Sequence, residues 1–461
     1  MHLLLFIFYS IIGCYAITRI PFFRHSGIRP ALLLLYLGLR VATGCLHNMI
    51  AYRYYPNHGD IWLFFNESFI TRHELFTDLR TFWANNSTLA YLQHNLIGFM
   101  HVLLNFLSFD NMYINTLFFS FFTLGGAIAF FRVFTSWFSK DWLSACCILL
   151  LPSTLFWTSC IDTEGILFIL LGFFFFHLTR LFPPGSHPGK SIPNPDFGRE
   201  HLSGEPRPHP TPASSTRSVL LASFLFALAV FFRPAILVGL LPAILCWILA
   251  AKKRSPKNHR DESHRSGSLP RRGPKTLLLT SIAALLLLAS FSFFTPIFTP
   301  ILRYLSARQH EFQVLTGNSR IYLPVLEPTW SSFARIFPPA LFNGFFQPLP
   351  GSGGQAIYGA FSLELTLIWL ILVLSIYRYF TRSPTGKSSP SPAFYFGLSC
   401  LLFSVLGMLL IGYIIPFVGS IIRYRSIYLP FLLAPFLHNL RNTRLPAALN
   451  KWLSTYFSAI H

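Results

Sequence analysis

Of 461 residues, 53% are apolar and only 11% are charged, against about 25% charged in ordinary soluble domains. That balance excludes a soluble multidomain protein. It predicts an all-α polytopic membrane protein in which residues 1–461 form a single transmembrane domain. A net charge of +20 would suit nucleic acid, but the lysines and arginines lie in short segments between apolar runs, where they encode membrane orientation and form no groove-binding face.

Residues 2–21 form the first predicted span. Met1-His2-Leu3 lacks the basic start of a cleavable signal, so this run is read as a crossing. A basic linker at 23–29 leads to span two, 30–52, with Arg40 deep inside it. An arginine at that depth requires an internal partner, either a structural pairing or a ligand. Residues 53–111 make a long loop carrying Asp60, Glu67, Glu74, Asp78 and Asp110, and within it 91–108 form an amphipathic helix suited to the membrane interface. Span three covers about 112–136, where Gly125-Gly126 permits close helix packing. Span four is 142–160 and span five runs to Phe182, with Asp162 and Glu164 at the hairpin between them. Residues 183–216 are rich in Pro, Gly, Ser and His and are predicted disordered, as is the basic stretch 252–275. Spans six and seven occupy 217–251, broken at Phe232-Arg233-Pro234. Span eight is 276–297, and a mixed loop with several prolines fills 298–356. Spans nine, ten and eleven fall near 357–377, 393–414 and 417–438. The seven cysteines lie in or beside apolar runs without a CxxC or a Cys/His metal spacing, and are read as small core residues.

Taking the linker at 23–29 as cytoplasmic fixes the side of every later loop. The cytoplasmic set then holds about two thirds of the 36 lysines and arginines but little more than a third of the 16 acids, as the positive-inside rule requires. About eleven spans, with the N-terminus outside and the C-terminus inside, follow from this count. Both large ordered loops, 53–111 and 298–356, are then extracytoplasmic. A site needs groups held on rigid elements, so the outer face is where chemistry is expected.

Asp60 stands where a helix leaves the bilayer, beside aromatic rings. It reads either as a base that takes a proton from an acceptor hydroxyl or as a solvated loop acid or helix N-cap. Glu67, seven residues on, shares its face if the segment is helical. Asp162 and Glu164 suit a helix N-terminus through the dipole and its free N–H groups, or line the same outer cavity as Asp60. Arg233, Arg423 and Arg425 stand on the outer side against the orientation rule. A guanidinium fork there matches a phosphate or pyrophosphate head group, or else reaches lipid phosphates or pairs with Asp162 or Glu164. The stretch Pro338-Pro339-Ala340-Leu341-Phe342-Asn343-Gly344-Phe345-Phe346-Gln347-Pro348 reads as a wall for an apolar chain or as a re-entrant segment. Nucleotide-binding, zinc-protease and nucleophile-elbow motifs are absent.

Five stretches carry a family resemblance. They are His58-Gly59-Asp60; Pro152-Ser153-Thr154-Leu155-Phe156-Trp157-Thr158-Ser159 followed by Asp162 and Glu164; Phe232-Arg233-Pro234; Phe345-Phe346-Gln347-Pro348; and Gly419-Ser420-Ile421-Ile422-Arg423-Tyr424-Arg425. In order and spacing the chain resembles bacterial GT-C-type membrane glycosyltransferases, near the family-39 group that uses polyprenyl-phosphate sugars, and uncharacterised proteins of the Bacteroidetes type. The resemblance implies an acid of the first outer loop as general base, for which Asp60 is the matching position. It also implies arginines at the outer ends of later spans that hold the lipid phosphate, with Arg423 matching best, then Arg425 and Arg233. In these proteins the loop usually follows the first span and often carries an Asp pair; here it follows the second and Asp60 stands alone.

The expected function is therefore transfer of a sugar from a polyprenyl-phosphate carrier to an acceptor hydroxyl, with inversion, on the outer face of a bacterial inner membrane. The candidate residues are Asp60 and Glu67 for catalysis, and Arg423, Arg425, Arg233, Asp162, Glu164 and His58 for substrate binding. No cofactor is expected, and no ligand cluster calls for a metal, although a divalent ion is compatible with the chemistry. The partners are the lipid-linked sugar, the bilayer and a glycan or other hydroxyl acceptor, with no nucleic acid. A flippase, transporter or polymerase for a lipid-linked glycan would use the same arginines, and an envelope scaffold would use none of these groups.

Overall fold

The computed structural model describes residues 1–55, 59–85, 88–138, 149–182, 212–252, 295–317, 319–351, 356–381 and 392–441. Expectations for His58, most of the two polar loops, the first part of span four and most of span eight lie outside the described residues; residues 212–216, expected to be disordered, instead form the start of a helix, and Lys252 ends another. Among the described residues every regular element is a helix, and strand-like pairing is confined to an isolated antiparallel bridge between Arg320 and Phe417. The first seven helices are α1 (His2–Arg19), α2 (Pro21–Arg24), α3 (Pro30–Tyr54), α4 (Gly59–Thr77), α5 (Leu79–Asn85), α6 (Leu89–Ser108) and α7 (Met112–Trp137). Then come α8 (Pro152–Thr158), α9 (Thr163–Leu181), α10 (Pro212–Phe232), a 3₁₀ turn (Pro234–Ile236) and α11 (Leu237–Lys252). The remaining helices are α12 (Thr295–Val314), α13 (Trp330–Phe346), α14 (Ala356–Thr381), α15 (Pro392–Ile414), α16 (Val418–Arg425) and α17 (Leu429–Arg441).

Among the described residues six helices are long and apolar enough to cross a membrane: α1, α3, α7, α9 and most of α14 and α15. A pair bent by 118° at Arg233, Thr216–Phe232 with Pro234–Ile248, brings the count to as many as seven. The first helix leaves Leu3, Leu4 and Ile11 exposed while α7 is almost wholly enclosed, the contrast expected between a lipid-facing helix and a bundle core.

Several expected boundaries shift for local reasons. Span one ends at Arg19 because Ile20, preceding Pro21, is extended at φ −67°, ψ 122°, as a residue before proline prefers. The run 417–438, expected as one span, is two helices separated at Ser426–Tyr428. The loop 53–111 holds three helices: α4 carries Asp60 and Glu67, α5 follows it, and α6 covers the stretch expected as a helix at 91–108. In 298–356, α13 continues through Pro338-Pro339 although each lacks a backbone donor.

The chain divides into two compact units. The larger comprises 1–251, 348–407 and 422–461. In it α7 packs against α3 and α9, and α9 packs against α10. Gly126 makes the close approach between α7 and α9: a Cβ there would stand 2.9 Å from the Ile169 Cα and 3.2 Å from the Phe168 oxygen, whereas Gly125 faces the Phe173 ring. Because backbone stands on the other side, Gly126→Ala is expected to lower stability by about 1–3 kcal/mol, read as a lower melting temperature in detergent; an unchanged melt would contradict the packing.

Much of the phenylalanine excess fills this unit's core. Phe130, Phe134, Phe175, Phe403 and Phe431 interlock, and Phe175 stacks on Trp247 at 5.6 Å. Polar side chains fix α4 in place. The Trp62 indole donates to the Asn48 oxygen at 3.0 Å, and the Asn48 amide donates to Thr116 Oγ1 at 2.7 Å. Further along α4, Ser68 Oγ accepts from Asn105 at 2.9 Å, and Asn105 Oδ1 accepts from Asn115 at 2.6 Å. These bonds tie α4 to α3, α6 and α7, and with Ile61, Phe65, Met112 and Cys160 packed beneath they fix where the first turn of α4 lies.

The smaller unit comprises 252–347 and 408–421. Buried Gln309 on α12 stitches it together: its amide donates to the Pro324 oxygen at 3.0 Å and the Tyr413 oxygen at 2.8 Å, and its oxygen accepts from Leu326 N at 2.6 Å. A Cβ at Gly412 would stand 2.9 Å from Gly344 N, so two glycines let α13 and the end of α15 touch backbone to backbone.

Candidate functional site

Four separate parts of the larger unit deliver charge to one point. Gly59 opens α4 at φ +71°, a left-handed conformation that glycine adopts without strain, and Asp60 follows in the first turn. Asp162 is the N-cap of α9 and Glu164 lies in its first turn. Arg233 occupies the break of the bent pair, and Arg423 lies on the last turn of α16.

The Arg423 guanidinium is the hub. Its Nη1 donates to Asp60 Oδ2 at 2.7 Å, its Nε to Glu164 Oε2 at 2.6 Å, and its Nη2 to Asp162 Oδ1. Arg233 Nη2 donates to the other Glu164 oxygen, Oε1, at 2.5 Å. The Arg233 guanidinium also stacks over the Tyr424 ring at 4.1 Å, with Arg423 5.5 Å from the same ring. Asp162 and Glu164 are fully buried, Arg423 is 14% exposed and Asp60 is 57% exposed. Three carboxylates thus face two guanidiniums, and Asp60 is the acid that meets solvent.

Asp162 takes the N-cap place expected for it, its Oδ1 accepting from Thr163 N at 2.6 Å, and the same oxygen also receives Arg423. Its Oδ2 is buried and, among the described residues, has no hydrogen-bond partner. Burial pushes the Asp162 carboxyl well above the usual carboxylate range; Arg423 pulls it back, and Glu164 and Asp60 push it up further. For Arg423, burial opposes the charge, but Asp162, Glu164 and Asp60 outweigh it and hold the guanidinium well above its ordinary value.

The sign for stability follows by linkage. A carboxyl raised on folding favours the folded state below its unfolded pKa and loses that contribution as pH rises through the raised value. Asp162→Asn mimics the protonated form and retains an N-capping oxygen. The stability of the natural protein relative to Asp162→Asn is therefore expected to decline from acid through neutral pH, measured as melting temperatures in detergent. A difference independent of pH would refute the burial of that charge.

The other candidates go elsewhere. Glu67 lies on α4 two turns beyond Asp60 but pairs with His94 Nε2 at 2.6 Å, and both are about a third exposed. Arg425 is buried, and Glu364 is an electrostatic partner of it. On a helix at 100° per residue two positions i and i+2 point to different sides, so Arg423 and Arg425 cannot share one anion. Arg40 finds neutral partners: Thr123, Tyr36 and Thr158. Tyr424 was missed as a site residue, although an aromatic ring between two arginines at a helix end is a signal for cation–π stacking.

A hub of this kind can bind a phosphate by exchanging a carboxylate for it, since the fork geometry suits either anion. Among the described residues no group of three His, Cys, Asp or Glu side chains is arranged to hold a metal ion; the acids here surround a guanidinium. The chain matches no protein-family model, no characterised protein and no solved structure.

Proposed function

We propose that the chain is a membrane glycosyltransferase that moves a sugar from a polyprenyl-phosphate carrier to an acceptor hydroxyl, inverting the anomeric centre. The observation that carries this reading is the hydrogen bond from Arg423 to Asp60, the solvent-facing acid, at the head of an otherwise buried cluster of acids and guanidiniums. The carrier phosphate takes over N–H groups of Arg423 and so releases Asp60. The acceptor oxygen attacks the anomeric carbon, its proton passes to Asp60, and the bond from that carbon to the phosphate oxygen breaks. Arg423, with Arg233 behind it, balances the charge gathering on the departing polyprenyl phosphate. In this reading the chain sits in a bacterial inner membrane with about eleven crossings, N-terminus outside and C-terminus inside. The helices of 53–111 lie in the outer interface.

The test is reconstitution of the purified full chain with polyprenyl-phosphate sugars and hydroxyl acceptors, comparing the natural protein with Asp60→Asn. Transfer that survives the substitution unchanged removes Asp60 from the mechanism. The break at Arg233 favours a second reading, because a helix pair bent by 118° with a charged residue at the break is like the interrupted helices from which many transporters build their sites. Uptake or flipping of the lipid-linked sugar without transfer would support that alternative.

A further inference from the structure

Among the charged residues in the span-length helices outside the cluster described above, two touch α8. At its N-terminal end, Glu364 on α14 accepts from Ser153 N at 3.1 and 3.2 Å on its two oxygens, and from Ser153 Oγ at 3.0 Å. At its C-terminal end, Arg40 on α3 donates from Nη2 to the Thr158 oxygen at 2.7 Å and to Thr158 Oγ1 at 2.9 Å. Arg40 is fully enclosed and Glu364 is 8% exposed. A helix carries partial positive charge at its N-terminus and partial negative charge at its C-terminus, with unpaired N–H and C=O groups to match. An anion holds the first end and a cation the second, each in the orientation the dipole favours.

The helix between them is only seven residues long, far too short to be stable alone. Its flank is held by Thr154 Oγ1, which donates to the Ser426 oxygen at 2.7 Å, three residues after Arg423. Its C-terminal end runs within four residues into Asp162. Cys160, on that connection, is buried against the Gly44 oxygen at 3.4 Å and His47 at 3.3 Å. Any slack in α8 would therefore be passed to Asp162 on one side and to the Arg423 segment on the other.

We propose that Glu364 and Arg40 are positioning residues, holding α8 by its two ends so that Asp162 meets Arg423. Only the kinetic part of the test rests on the transferase reading. In the detergent-solubilised full chain, N-ethylmaleimide alkylation is followed by peptide mass spectrometry at Cys160 and, as an internal control, at Cys400, which is buried on α15. Glu364→Gln and Arg40→Met are expected to speed Cys160 labelling about tenfold with Cys400 unchanged, and Arg40→Lys to recover part of the protection. Ser153→Ala, a milder change, is expected to give about threefold. A monodisperse Glu364→Gln protein that labels Cys160 at the natural rate overturns the proposal, as does an equal rise at both cysteines. If the charge variants do not fold, Ser153→Ala decides, and an unchanged rate there is equally fatal. In an active preparation, kcat falls with KM for the carrier held. An inactive natural protein would count against the transferase reading and leave the labelling result standing.

Discussion

Arg423→Met is expected to cost about 3–5 kcal/mol of stability, the range for breaking a buried ion pair by removing one partner. The three hydrogen bonds that disappear are the smaller part. The larger part is the charge left behind, because Asp162 and Glu164 are fully buried and cannot regain water. Glu164 would keep Arg233, whereas Asp162 would keep only Thr163 N. The remedy is therefore specific: adding Asp162→Asn to Arg423→Met should restore a substantial part of the loss. A double-mutant cycle in melting experiments should return a coupling of about 1–3 kcal/mol. Arg423→Lys should fall between, since one ammonium cannot present the flat fork that reaches three carboxylates. Strict additivity would mean that the two side chains do not share one buried charge balance.

The apolar runs made most of the helices legible, because period and length are local properties. The meeting of Asp60, Asp162, Glu164, Arg233 and Arg423 was legible in outline for a different reason: charges at the same end of several spans must find each other or water. What local patterns could not carry was the choice of partners. Arg423 and Arg425 look equivalent in sequence, yet helical geometry sends one to the acids and buries the other elsewhere. Glu67 shares a helix with Asp60, but the turn toward α6 gives it to His94. Glu364 lies 211 residues from Ser153, and nothing in its own span announces that it caps a short helix. The breaks at Ile20 and Ser426–Tyr428 show the same limit: proline explains the first, while the second sits in a run whose composition reads as one helix.

Asp60→Asn should separate chemistry from folding. Asp60 is 57% exposed and its bond to Arg423 lies at the solvent edge, where an ion pair is worth about 0–1 kcal/mol. The variant should therefore melt close to the natural protein. A general base contributes about 10²–10⁴-fold to rate, so on the transferase reading sugar transfer should fall by that factor while KM for the carrier changes little. Glu67→Gln is the informative comparison. Its carboxylate is committed to His94, so transfer should persist near the natural rate if Asp60 acts alone and fall with it if the two acids act together. Arg423→Lys should err in the other direction, raising KM for the carrier as the fork that grips phosphate is lost. A protein whose Asp60→Asn variant loses stability as heavily as Arg423→Met, with no specific loss of turnover, would place Asp60 inside the structural ion cluster and leave the attack on the sugar without a base.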